Sequence, residues 1–135
     1  MEHRVEAALK AAHYDIAQAR VREIIDALFE LGGSAHCARV YEIVARRRGL
    51  VAPTDDVRRA TLEAFEQGLQ GTARRTPPLR LPFGPGSHRW ALESGVFSII
   101  HGVKQHGWDL EPPYRAPVPT RGPTPAPAET GASPV

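Results

Sequence analysis

His36 and Cys37 stand side by side, and an imidazole next to a thiol is a pairing that can activate a cysteine nucleophile. Adjacent residues on a helix do not face one another, however, and neither a second cysteine nor a suitable third partner accompanies them. The expectation for Cys37 is therefore a small core residue. His101 and His106 are five apart, which suits neither helical metal ligation nor a zinc signature, and His3 and His13 are isolated. Asp15, Glu23, Asp26 and Glu30 line one helical stretch, so they make an acidic ridge. A nuclease gathers its acids around a metal beside a catalytic lysine, and the only lysines are Lys10 and Lys104. "GPG" at 84–86 is turn chemistry and not a phosphate-cradling loop. The expectation is a non-enzyme without metal or cofactor.

The remaining chemistry is cationic. From His36 to Trp90 there are ten arginines (39, 46, 47, 48, 58, 59, 74, 75, 80, 89) against five acids, a balance of +5. The rest of the chain carries seven basic and ten acidic residues, a balance of −3. Arginine suits planar, bidentate contact with phosphates and base edges. Arg46-Arg47-Arg48 has a second use, because cations at a helix C-terminus offset its dipole by about 0.3–1 kcal/mol each.

The stretch "LRLPFGPGSHRWAL", residues 79–92, reads as a hairpin. With Pro85-Gly86 central in the turn, Phe83 faces His88, Leu81 faces Trp90 and Leu79 faces Leu92. That side closes a core. The other side carries Arg80, Pro82, Arg89 and Ala91, and Pro82 marks an edge strand because it has no N–H to donate. Outward Arg80 and Arg89 have two readings: charged guards of a sheet edge, or contacts to phosphate.

Several helices must hold this hairpin. Residues 14–31 place Ile16, Val21, Ile24, Ile25, Leu28 and Leu31 on one stripe, stopped by Gly32-Gly33. A second helix over 34–49 starts at Ser34 or Ala35, has Cys37, Val40, Ile43 and Val44 at helical spacing, and ends at Gly49. A third, over 54–70, has Thr54 as N-cap and Asp55 and Asp56 in its first turn. Its inner face is Val57, Thr61, Ala64, Phe65 and Leu69. Residues 94–110 hold a further helical segment with Ser94 as its cap, Gly107 as its end, and an apolar arc of Val96, Phe97, Ile99, Ile100 and Val103. That arc is wide enough to cover the domain or a second copy of the chain.

The chain has 135 residues, enough for one small domain and some unstructured sequence. The expected organisation is a helical extension over 1–12, a domain over 13–93, the segment 94–110 and a tail over 111–135. Eight of the thirteen prolines lie after Glu111, in a stretch with almost no large apolar residues. Such a tail cannot bury enough surface to offset its ordering entropy and is expected to be disordered. No apolar run reaches the ~18 residues of a membrane helix, and the charged N-terminus has no signal-peptide core. One cysteine excludes an internal disulfide. No membrane partner and a cytoplasmic location are the expectations.

The order of elements is helix, Gly-Gly with a short extended piece, helix, short loop, helix, linker and hairpin. This α+β, mainly helical order over residues 14 to 93 resembles the winged helix-turn-helix superfamily. Within it, "VREIIDALFELGGSAHCARVYEIVARRRGL" is similar to the N-terminal winged-helix domain attached to Mrr-type restriction endonucleases. The resemblance implies a three-helix core plus a hairpin wing, with the third helix in the DNA major groove and the wing on the backbone or minor groove. It implies double-stranded DNA as partner and a role as a transcriptional regulator or accessory factor. Arg59, Gln67 and Gln70 become the base readers, and Arg58, Arg74, Arg75, Arg80, His88 and Arg89 the phosphate contacts. One departure stands out. The outer face of 54–70 carries Asp56, Glu63 and Glu66 against Arg59, and that balance repels phosphate. The alternative is a protein-interaction module of the same fold. A homodimer would form through the N-terminal helices or segment 94–106.

Overall fold

The structure, a computed structural model, describes residues 1–106. Those residues form an α+β, mainly helical arrangement of five helices and a three-stranded antiparallel sheet. The order is α1 (His3–Ala11), α2 (Ala19–Glu30), β1 (Ser34–His36), α3 (Cys37–Arg47), α4 (Asp55–Gln70), β2 (Leu79–Arg80), β3 (Arg89–Leu92) and α5 (Ser94–His106). The proline-rich tail and the Gly107 expected to end α5 lie outside the described residues.

Three helices end in the same way. His13, Gly32 and Gly49 take positive φ values of 68°, 91° and 79° just past α1, α2 and α3. Behind each, two N–H groups turn back onto the last carbonyls. Tyr14 N donates to Leu9 O at 3.1 Å, Gly33 N to Leu28 O at 2.7 Å and Leu50 N to Ala45 O at 2.9 Å. The His13 turn corrects the expected helix over 14–31. Residues 14–18 leave it as extended chain, because Tyr14 pairs with Thr76 in a parallel bridge. Thr76 N donates to His13 O at 2.7 Å, and Asp15 N donates to Thr76 O at 2.9 Å. Ile16 is still buried, but it reaches the core from a loop.

A second correction concerns the start of α3. Ser34 and Ala35 do not open a helix; with His36 they form β1 against β3, in the register Ser34↔Ala91, Ala35↔Trp90 and His36↔Arg89. Helix α3 begins at Cys37, where His36 Nδ1 accepts from Ala38 N at 3.0 Å. Cys37 is buried, as expected. Helix α4 matches its expected bounds, and Thr54 Oγ1 accepts from Val57 N at 3.1 Å.

Strand β3 is the centre of the sheet, in the order β1-β3-β2. Leu79 pairs with Leu92, as the hairpin register required. Trp90 carries the core side: its ring stacks on Phe65 at 3.9 Å and meets Tyr41 edge-on at 5.5 Å. One core includes Val5, Leu9, Ile24, Val44, Phe65, Trp90 and Ile100, so α1 and α5 belong to the same packed body as the middle helices. The inward arc of α5 (Val96, Ile100, Val103) is buried within the chain. Glu93, not Ser94, serves the start of α5: its carboxylate accepts from Gly95 N at 2.7 Å and its carbonyl from Val96 N at 2.9 Å. The Tyr14 hydroxyl also donates to that carboxylate.

Candidate nucleic-acid interface

Whether an arginine can meet a phosphate depends first on whether a carboxylate already holds it. On α4 the acids do. Arg58 pairs with Asp55, and Arg59 Nη1 lies 3.2 Å from Asp56 Oδ1, each three residues along the helix. Arg58 also donates to Pro53 O at 3.2 Å. Of the expected base readers, Gln67 and Gln70 are exposed on the same helix, and Arg59 is exposed but paired. Glu63 and Glu66 are exposed with them.

Elsewhere the acids of the first ridge are used. Arg47 reaches Glu30 and Arg48 reaches Glu23, both at 2.6 Å, which ties the end of α3 to α2. Arg22 lies 3.4 Å from Glu6, and Arg39 3.5 Å from Glu42. The cations of α3 and α4 are thus largely neutralised by local partners. Individually such exposed pairs stabilise by about 0–1 kcal/mol.

The linker and hairpin are different. Between Glu66 and Glu93 the sequence holds four arginines and no acid. Arg74, Arg75, Arg80 and Arg89 are all exposed, and none forms an ion pair among the described residues. Three of them are steadied by neutral acceptors. Arg75 Nη1 donates to Lys10 O at 3.3 Å, Arg80 Nε to Leu92 O at 3.4 Å, and Arg89 Nε to Ser34 Oγ at 2.9 Å. Each bond uses one of the five guanidinium N–H groups and leaves the charge uncompensated. Arg80 sits opposite Ala91, and Arg89 is two residues from Ala91 on β3, so both arginines share one face of the sheet. Diagonal neighbours of this kind lie about 7–8 Å apart. His88 is exposed beside them, its ring centroid 5.7 Å from that of His36.

Phe83 departs from expectation. It was expected on the core side, yet it is 74% exposed. The reason is local: β2 ends at Arg80, and alternation stops there. Two turns follow, with Gly84 N donating to Leu81 O at 3.1 Å and Ser87 N to Gly84 O at 3.2 Å. Pro82 takes the second position of the first turn, where its fixed φ fits, instead of lying in an edge strand.

A cleft of about 300 Å³ runs between α4 and the hairpin, lined mainly by Tyr41, Leu62, Glu66, Leu69, Leu81 and His88. Burial, then the neighbouring Cys37, pushes the Tyr41 hydroxyl up to about 12, and Arg58 opposes this. Burial and the Glu93 carboxylate also raise Tyr14. Both shifts favour the neutral phenol in the folded state. Stability is therefore whole below about pH 10 and falls as pH rises from there towards 12. We expect an alkaline decline of the unfolding free energy in that window, followed by denaturant titration at each pH. Tyr41→Phe should make it shallower and leave the share due to Tyr14, and an unchanged decline in that variant would remove Tyr41 as a cause.

Among the described residues no group of three or more histidine, cysteine or carboxylate side chains is placed to hold a metal, and no helix is long and apolar enough to cross a membrane. No protein-family model, curated protein or solved structure matches the chain significantly.

Proposed function

We propose that this chain is a winged-helix protein that binds double-stranded DNA without catalysing a reaction, as a transcriptional regulator or accessory factor. The winged-helix reading rests on the order α2-β1-α3-α4-β2-β3 together with the sheet order β1-β3-β2. The DNA reading is carried by one observation: the acid-free stretch between Glu66 and Glu93, whose four exposed arginines form no ion pair among the described residues. Arg74, Arg75, Arg80 and Arg89, with His88, contact phosphates. Arg58 and Arg59 contribute only after leaving Asp55 and Asp56, so base reading falls first to Gln67 and Gln70, which suit adenine. The hairpin carries more of the contact than the third helix does.

The test is a salt series on a labelled duplex. Log affinity should fall linearly with log salt, and Arg80→Ala and Arg89→Ala should each make the slope shallower by about one unit. Absence of binding at low salt would end the DNA reading. A second reading would then take over, in which the module binds a protein through α4. It is favoured by exposed Glu63 and Glu66 and by Leu62, exposed beside the cleft.

A further inference from the structure

We propose that Phe83 is a wedge: the hairpin tip enters the minor groove and inserts this ring between adjacent base pairs, bending the duplex. The inference rests on the DNA reading above and adds a mode of binding to it. Phe83 is the only large side chain between Leu81 and His88, where the sequence is otherwise proline, glycine and serine. It is 74% exposed and has no aromatic partner among the described residues. The segment that carries it is not loose. Pro82 and Pro85 fix two backbone angles, Gly84 and Gly86 adopt φ of 90° and 84°, and two turn hydrogen bonds close the segment. A ring on such a support loses little freedom when it docks.

The surroundings select the partner. Arg80 and Arg89 flank the tip on one sheet face, and no carboxylate lies in the sequence between Glu66 and Glu93. A ring flanked in sequence by two arginines fits an apolar step lined by phosphates. Minor-groove proteins use phenylalanine in this way, offsetting the unstacking of one base step by the extra contacts of bent DNA. An anionic lipid surface offers the same charge, but anchoring there scales with the apolar area buried. Here the tip presents one ring. The other exposed large apolar residues, Leu50, Val51 and Leu62, belong to the α3–α4 loop and to α4.

The experiment uses the full chain and a short duplex labelled at both ends, in one version rich in TA steps and in another built on a stiff A-tract. Energy transfer between the ends reports bending. The wild type should bind both, raise transfer more on the TA-rich duplex, and show a salt slope on each. Phe83→Ala should keep the salt slope, lose the rise in transfer, and bind about tenfold more weakly, as expected for one lost stacking contact. Because the side chain is exposed, its circular dichroism should match the wild type. Binding without any rise in transfer, and with Phe83→Ala indistinguishable from wild type, overturns the wedge and leaves the DNA reading standing. No binding to either duplex overturns both. Sedimentation with anionic vesicles forms the third arm: vesicle binding that depends on Phe83, with duplex binding that does not, overturns the wedge in favour of a lipid surface.

Discussion

Trp90→Ala should lower the unfolding free energy by about 3–5 kcal/mol, the range for removing a buried large aromatic side chain. Domains of this size are stable by only about 5–15 kcal/mol. The variant should therefore lose a large share of its stability, and the thermal midpoint should drop by on the order of 10–25 °C. Trp90 is 3% exposed, and its ring lies on Phe65 of α4 with an interplanar angle of 6° while Tyr41 of α3 meets it edge-on. Its backbone pairs with Ala35 of β1. The ring thus joins the hairpin to two helices, while the backbone of the same residue holds the edge strand β1. Its loss leaves a cavity and frees the strand that carries Arg89. On the DNA reading proposed above, freeing that strand should also weaken duplex affinity, although no cation has been removed. Trp90→Phe keeps a stackable ring and should lose much less. Denaturant unfolding of both variants decides the matter. A midpoint for Trp90→Ala within a few degrees of wild type would show that this ring does not hold the hairpin.

The pairing Leu79↔Leu92 was readable because it follows from alternation and one Pro-Gly turn, both local in sequence. The start of α4 was readable for the same reason, through the Thr54 cap and the acids that follow it. What escaped reading depends on distant partners. Strand β1 was legible only as a short extended piece after Gly-Gly; its residues and its pairing were not, because three residues are too few for alternation to declare and the strand exists because β3 offers it hydrogen bonds. The extended stretch before α2 exists because Thr76 reaches back to His13. Phe83 shows the limit of periodicity: the pattern predicts a side only while the strand lasts, and β2 lasts two residues. For the interface, the outward side of Arg80 and Arg89 was legible. The seating of Arg75 on the carbonyls of Lys10 and Tyr14 was not, since it spans more than sixty residues. The pairing of Arg58 and Arg59 with Asp55 and Asp56 was written in their spacing of three. Counting charges on the helix face did not reveal that these acids would hold both arginines.

Gly71→Ala should be the most damaging small substitution in the linker that leads to the hairpin, costing about 2–5 kcal/mol from backbone strain and overpacking together. Gly71 ends α4 with φ 62° and ψ −162°, a region that glycine alone occupies readily. A Cβ there would lie 2.8 Å from Arg75 O and 2.9 Å from Pro77 N. Those are backbone atoms, so no rotamer change relieves the contact. They are also held in place, since Thr72 N donates to Arg75 O at 3.1 Å and Thr76 bridges to Tyr14. Gly49→Ala is the matched control. Its φ is 79°, but a Cβ would meet nothing within 4 Å, so only the left-handed penalty of about 1–2 kcal/mol applies. The difference between the two variants isolates the packing of the linker against the end of α4. Equal losses in denaturant unfolding would mean that this linker is not fixed there. If it is fixed, Gly71→Ala also displaces Arg74 and Arg75. On the proposed DNA reading, duplex binding should then weaken and its salt slope should become shallower, whereas Gly49→Ala should leave the slope unchanged.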